Sequence, residues 1–150
     1  GDLVTQAASL RLEGYKRALK KNKITLEPRY IFKTDYSRGQ ARSAAENLIK
    51  MPEAPTAVFT ASDSMALEVM AVARERGKEI PDDLSIVGFD DNPSGLYGHV
   101  ALTTVKQPLI KMAEESVKEL TRLMNKKEAR VKKTVLAVEL IIRESCKSPG

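Results

Sequence analysis

Two polar clusters, Ser62–Asp63 and Asp90–Asp91–Asn92, each follow directly on a short apolar run. The runs are Thr56–Thr60 and Leu84–Phe89, and both carry β-branched residues, which at this length argues strand over helix. Hydroxyl and carboxylate groups placed there suit hydrogen bonding to a small polar molecule, because an ionised carboxylate offers about four lone-pair sites. Asp90 and Asp91 are adjacent, so on an extended backbone they point apart and are not a catalytic pair. Other routes to catalysis are missing as well. There is no G-x-G-x-x-G or P-loop, the patterns that cradle phosphates, and no Ser–His–acid spacing. No lysine can be placed to complete an acid pocket around a phosphoaccepting Asp90. The single histidine, His99, has no neighbouring cysteine or carboxylate to share a metal. The chemistry indicated is binding, with no catalytic residue, no metal and no cofactor.

The elements that must position these groups form a strand–helix–strand unit. Between the two runs, Ala66, Leu67, Met70, Ala71 and Ala73 fall on or near one helical face. Ser62 or Asp63 can cap the start of that helix and Gly77 marks its end. Such a crossover is right-handed. In open α/β sheets ligands bind outside the carboxyl ends of the strands, where both polar clusters lie. The fold class expected is therefore α/β, a parallel sheet with flanking helices. Asp63 is expected to cap the helix rather than touch a ligand.

The flanks follow the same alternation. A helix from about Ala7 to Asn22 offers Leu10, Ala18 and Leu19 to the core, and Gly14 within it costs about 1 kcal/mol relative to alanine, which implies close packing there. Arg29–Lys33 reads as a strand, and Thr34–Ser37 as the next rim loop. Ser37 or Asp35 caps a helix over Arg38–Lys50 that buries Ala41, Ala44, Ala45, Leu48 and Ile49. Pro52 and Pro55 bracket a linker, and Gly77–Asp83 is a turn that Pro81 keeps from continuing as helix. Leu102–Gln107 reads as a strand. A helix from Pro108 to about Met124 carries an apolar stripe of Leu109, Ala113, Val117, Leu120 and Met124 at helical spacing. Asn125–Arg130 is a charged turn, Val131–Arg143 one bent strand or two, and Lys147–Gly150 a disordered tail.

Composition narrows the class. A chain of 150 residues with 42% apolar and 30% charged residues suits one soluble domain with a real core. Nothing approaches a membrane span, and Gly1–Leu10 lacks a signal pattern. The net charge of +5 is spread over Lys20–Lys21–Lys23, Lys126–Lys127 and Lys132–Lys133, which reads as solvated surface rather than the clustered face that nucleic acid requires. The lone Cys146 excludes an internal disulfide and is compatible with a reducing cytoplasm.

Three separated motifs, ASDSMA at Ala61–Ala66, IPDDLSIVGFDD at Ile80–Asp91 and LTTVKQP at Leu102–Pro108, together resemble the effector-binding core of LacI-type transcription regulators. That core shares its fold with periplasmic sugar-binding proteins (type I). Arg11, Gly14 and Tyr15 match the family's R-x-x-G-aromatic segment, and Ile141–Ser145 (IIRES) matches its terminus. The resemblance implies a ligand-binding set of Arg11, Tyr36, Ser62, Asp90 and Gln107. Arg11 would donate a fork of hydrogen bonds, Tyr36 would stack on a sugar or purine face, and Asp90 would accept from effector hydroxyls or ring N–H groups. Ser62 stands where sugar-responsive members often carry an amide, and Gln107 would bridge ligand and hinge. Apart from the family match, Arg11 reads as a surface arginine, Tyr36 as a half-buried loop tyrosine, and Asp90 as a turn-holding aspartate. Met65 and Leu67 match a segment that pairs subunits, with core packing as the alternative, and Leu96 and Tyr97 are further dimer-interface candidates.

The resemblance also implies a division of the chain and a set of partners. Residues 1–106 would be mostly the C-terminal lobe without its first strand, 107–128 a crossover and helix of the other lobe, 129–146 return strands, and 147–150 a tail. A fragment of a longer protein is expected. Its partners would be a small effector (sugar, sugar phosphate or nucleobase), a second copy in a homodimer, and operator DNA through a helix-turn-helix domain outside this chain. No membrane partner is expected. Without the other lobe, the Leu109–Met124 stripe is expected to pack elsewhere on its own chain or against a second copy. The alternative function is a solute-binding protein for sugar uptake; IPDDLSIVGFDD and IIRES favour the regulator.

Overall fold

The computed structural model describes residues 5–125 and 132–148. Among these residues four α-helices and four strands follow in the order α1 (Gln6–Lys21), α2 (Arg38–Ile49), β1 (Ala57–Phe59), α3 (Asp63–Glu75), β2 (Ser85–Asp90), β3 (Thr103–Lys106), α4 (Leu109–Asn125) and β4 (Glu139–Ile141). Short 3-10 turns occupy Pro28–Tyr30 and Pro93–Leu96. The sheet order is β1-β2-β3-β4. β1, β2 and β3 run parallel, in register Phe59 with Val87 and Val87 with Thr103, while β4 returns antiparallel beside β3. The α/β class and its mostly parallel sheet are as the alternation of apolar runs implied.

Caps fix the helix starts. The Ser62 hydroxyl accepts the Met65 amide to open α3, and the Ser37 hydroxyl accepts the Gln40 amide to open α2. Asp35 does not cap α2 but accepts the Ser37 amide at 2.9 Å. Gly77 follows α3 with φ 68°, a left-handed conformation that glycine enters without a Cβ penalty.

The core lies on one face of the sheet. Ala45 of α2, Ala66, Val69, Val72 and Ala73 of α3, and Leu84, Ile86 and Leu102 from the sheet side form one buried cluster. Leu67, Met70 and Ala71 are only half-buried, because the inward face of α3 is centred on Met65, Val69 and Val72. The opposite face of the sheet looks across an apolar groove of 610 Å³ toward α1, lined by Leu10, Tyr15, Phe59, Phe89, Val105 and Val138 among others. Because α1 borders a groove, Leu10 is 53% exposed and Ala18 is exposed, while Leu19 is half-buried. These are not the core residues their spacing suggested. A Cβ at Gly14 would meet nothing within 4 Å, so no close packing explains that glycine.

Several expected elements differ. Arg29–Lys33 is not a strand: a 3-10 turn opens it and Ile31–Lys33 joins no ladder. A strand persists only where a neighbour takes its backbone groups, and β1 pairs on its other side, with β2. Between this segment and β1 lies a cavity of 180 Å³ with apolar walls that include Leu12, Phe32, Leu48 and Val58. Within Val131–Arg143 only Glu139–Ile141 is strand; Val131, and the Lys126–Arg130 part of the predicted charged turn, lie outside the described residues, as do Pro149 and Gly150 at the chain end. Lys147 is not loose. Its ammonium pairs with Asp82 at 2.8 Å and its amide bonds the Ser85 hydroxyl. The fully buried Ser145 fastens the C-terminal segment to the sheet, its hydroxyl donating to the Ile86 carbonyl at 2.6 Å and accepting the Thr103 amide at 2.8 Å.

The α4 stripe stays uncovered. Leu109, Val117, Leu120 and Met124 are 60, 63, 59 and 78% exposed, and no α4 residue is buried. Packing elsewhere on its own chain, one of the two outcomes expected, does not occur among the described residues.

Candidate functional site

The carboxyl ends of β1, β2 and β3 gather the polar residues. Asp90 closes β2, and Gln107 follows β3 in the next position of the parallel ladder. The Gln107 side-chain amide donates to Asp90 Oδ1 at 2.7 Å. From the far side of the rim, Arg11 on α1 reaches the same oxygen at 3.9 Å. Its other guanidinium nitrogen donates to the Ala61 carbonyl at 3.1 Å, beside Ser62, and its plane lies 3.8 Å from the centre of the Phe89 ring. A cation over an aromatic face is held by the ring quadrupole. Arg11 is thus a fixed, largely covered arginine with its charge turned to Asp90, not a free surface one.

Asp90 itself is partly open, its side chain 41% exposed. Its carboxyl is pushed above the ordinary aspartate value, first by desolvation at its half-covered position. The Gln107 hydrogen bond and the Arg11 charge pull it back, and nearby Asp63 adds a smaller upward push. The backbone here is strained, with φ 120° at Asp90 and 58° at Asp91. Such conformations cost on the order of 1–3 kcal/mol each and persist where the surroundings over-determine them.

The neighbouring carboxylates take other work. Asp91 turns away from the rim to a short ion pair with Arg143, as adjacency with Asp90 implied, and lies 3.9 Å from Lys106. Arg143 also donates to the Leu102 carbonyl at 2.8 Å, so the IIRES segment braces the turn that carries Asp90. Asp63 is fully buried and is not the cap, a role that Ser62 fills. Its Oδ2 accepts the Asn92 amide at 2.6 Å and its Oδ1 the Thr104 hydroxyl at 2.5 Å.

Arg11, Asp90 and Gln107 are therefore brought into one bonded group, with Ser62 one residue from the Arg11 anchor. Tyr36 stands in the 35–37 loop, half-buried, with φ 67°, and shares no hydrogen bond with that group among the described residues. Of the interface candidates, Leu96 is 51% and Tyr97 85% exposed. Leu67 is half-buried, and Met65 is buried against the Thr34 hydroxyl, which leaves it little surface to offer a second copy. Asp90 and Gln107 sit on the open rim, while Arg11 of the same group also lines both cavities. Apart from Arg11 and a few hydroxyl residues such as Thr34 and Thr60, their walls are mostly apolar.

Reasoning from sequence alone gave Asp63 a capping role that Ser62 fills, and missed Thr104 and Arg143. One signal pointed to the true place of Asp63. Gly88 stands inside a strand pattern, where glycine marks a close approach; a Cβ there would lie 2.1 Å from Asp63 Oδ1.

The chain matches the periplasmic binding protein-like domain over residues 2–146. It belongs to that family. The HTH-type transcriptional regulator MalR of Clostridium butyricum is 40% identical over 136 residues, 91% of this chain and 40% of the relative. Among solved structures, the transcription regulator CcpA of Lactococcus lactis superposes with a TM-score of 0.88 at 28% identity, covering 98% of this chain and 54% of that one. A complex of the transcriptional regulator CelR with cellobiose superposes with a TM-score of 0.85 at 29% identity, over 90% of this chain and 41% of that one. The resemblance to LacI-type regulators read from the three motifs is borne out by these relatives. The chain spans about 40% of the length of curated relatives that it matches.

Proposed function

We propose that this chain is the effector-sensing and dimerisation part of a cytoplasmic, DNA-binding transcriptional regulator. The observation that carries the reading is the bonded group Arg11–Asp90–Gln107 at the carboxyl ends of the parallel strands. It pairs a two-oxygen acceptor with a fork of donors, the arrangement a polyol needs. Asp90 accepts effector hydroxyls, Arg11 and Gln107 donate, Ser62 adds a hydroxyl and Tyr36 supplies a stacking face. The ligand class is a sugar or sugar derivative, a reading supported by the relative bound to cellobiose.

Residues 1–106 serve as most of one lobe, and 107–128 cross to a second lobe from which 129–146 return. Effector that binds one lobe arrangement better than another shifts their populations by its differential affinity. The shift reaches operator DNA through a homodimer that uses the exposed Leu96 and Tyr97, and through a helix-turn-helix domain of the kind that the HTH-type regulator MalR is named for. Named relatives that are regulators favour this over an uptake protein, and no described helix is long and apolar enough to cross a membrane.

The test is calorimetric titration of the full-length protein with a panel of disaccharides, sugar phosphates and nucleobases, cellobiose first. Binding by a panel member that falls about 100-fold or more in Asp90→Ala, the cost of roughly 2–3 kcal/mol for charged hydrogen bonds, supports the reading. Binding unchanged by that substitution overturns it.

A further inference from the structure

The buried Asp63 has no part in the proposed effector contacts, yet both hydrogen bonds its carboxylate accepts lead to the turn that carries Asp90. It is 0% exposed, so it meets no ligand. It opens α3, but Ser62 already caps that helix, and the Asp63 carboxylate turns across the sheet instead. Gly88 on β2 leaves room for it, because any Cβ there would fall 2.1 Å from Oδ1. The Asn92 amide donates to Oδ2 at 2.6 Å. Thr104 on β3 donates to Oδ1 at 2.5 Å while its own oxygen accepts the Asp91 amide at 3.4 Å. One carboxylate therefore holds both backbone amides that follow Asp90, the first through Thr104 and the second directly.

Those amides belong to the segment in which Asp90 and Asp91 take φ 120° and 58°. Side chains rarely adopt these values unless neighbours enforce them. Two acceptor oxygens are needed at once, and charge-assisted bonds of this kind are about twice as strong as neutral ones. An asparagine at 63 has one acceptor oxygen and would turn an NH2 group toward either the Asn92 amide or the Thr104 hydroxyl.

We propose that Asp63 is the positioning residue for the effector site, clamping the Asp91 and Asn92 amides so that Asp90 is aimed at Gln107, Arg11 and the bound sugar. The assignment deepens the reading of Asp90 as an effector contact and rests on it.

The experiment is ligand-free and uses the intact protein, followed by 15N TROSY spectra and amide hydrogen exchange. In Asp63→Asn, exchange at Asn92 should speed up about 10- to 100-fold, as expected for loss of one charged hydrogen bond. The Gln107 side-chain NH2, held on Asp90 in the parent, should lose its distinct shift and its protection. Thr104→Val should release the Asp91 amide and weaken the Gln107 signal, and Thr104→Ser should restore both; this pair answers the question if Asp63→Asn fails to fold. A Gln107 signal that survives while Asn92 protection is lost, or one that survives Thr104→Val, overturns the proposal. Because no ligand enters, that outcome is separate from an unchanged affinity in Asp90→Ala, which overturns the reading of Asp90 itself.

Discussion

Burial and two donors compete for the Asp90 carboxyl. Desolvation raises its pKa and the Gln107 amide opposes that rise. Gln107→Ala should therefore move the Asp90 titration further up, as read from the side-chain 13C carboxyl shift. The stability consequence has a definite sign. Between the ordinary aspartate value and the raised folded value, the folded chain holds more protons than the unfolded one. Stability contributed by this group thus falls as pH rises through that window, and Asp90→Asn should flatten the slope in denaturant titrations. Gly88→Ala is predicted to cost about 2 kcal/mol or more in urea unfolding, because the added methyl collides with a buried carboxylate that has two bonds to lose. Asp90 was legible in the sequence because a carboxylate ending an apolar run lands on the rim of a parallel sheet. Asp63 was not. One residue from the cap, local pattern cannot say whether a carboxylate turns to its own helix or across the sheet, and its partners Asn92 and Thr104, 29 and 41 positions away, decide it.

At the scale of elements, the β1–α3–β2 unit came straight from periodicity and end signals, since a strand, a capped helix and a closing glycine are local properties. Ile86 at 0% exposure is its centre, and Ile86→Ala should cost about 2–5 kcal/mol, while Ser62→Ala should cost about 1 kcal/mol by loss of the cap; both are checked by the midpoint of equilibrium unfolding. The Arg29–Lys33 segment shows where local pattern runs out. Its residues favour a strand, but strand is a property of pairs and it forms none among the described residues. Helix α4 carries its own acid-sensitive latch. Glu119 is held down to about 2 by the Arg122 guanidinium and then by the Lys132 amide. Its folded value is depressed below the ordinary 4.5, so its contribution is complete above that value and is lost as pH falls toward about 2. Helical signal from α4 should decline across that interval, and Glu119→Gln should weaken the dependence, leaving the part that Glu115 contributes through Lys118.

For the whole molecule, α4 is the feature that most needs a partner. Its stripe was readable from 3.6-residue spacing, but spacing says that a face is apolar and not what covers it. A contiguous face of this kind is rarely left in water. Sedimentation of the 150-residue chain should show association that rises with concentration, and Val117→Glu with Leu120→Glu should abolish it while leaving the far-UV spectrum unchanged.

The antiparallel return of β4 sets Lys106 directly opposite Glu139. The long excursion through α4 therefore begins and ends at neighbouring points of one ladder, and in topological terms it is a removable insertion. Cutting it out and joining the two positions through an Asn-Gly pair would turn a distant pairing into a tight hairpin with a favoured turn. The loop that must close in folding would shorten from more than thirty residues to two, lowering its entropic cost. The buried cluster would be untouched, because α4 contributes nothing to it.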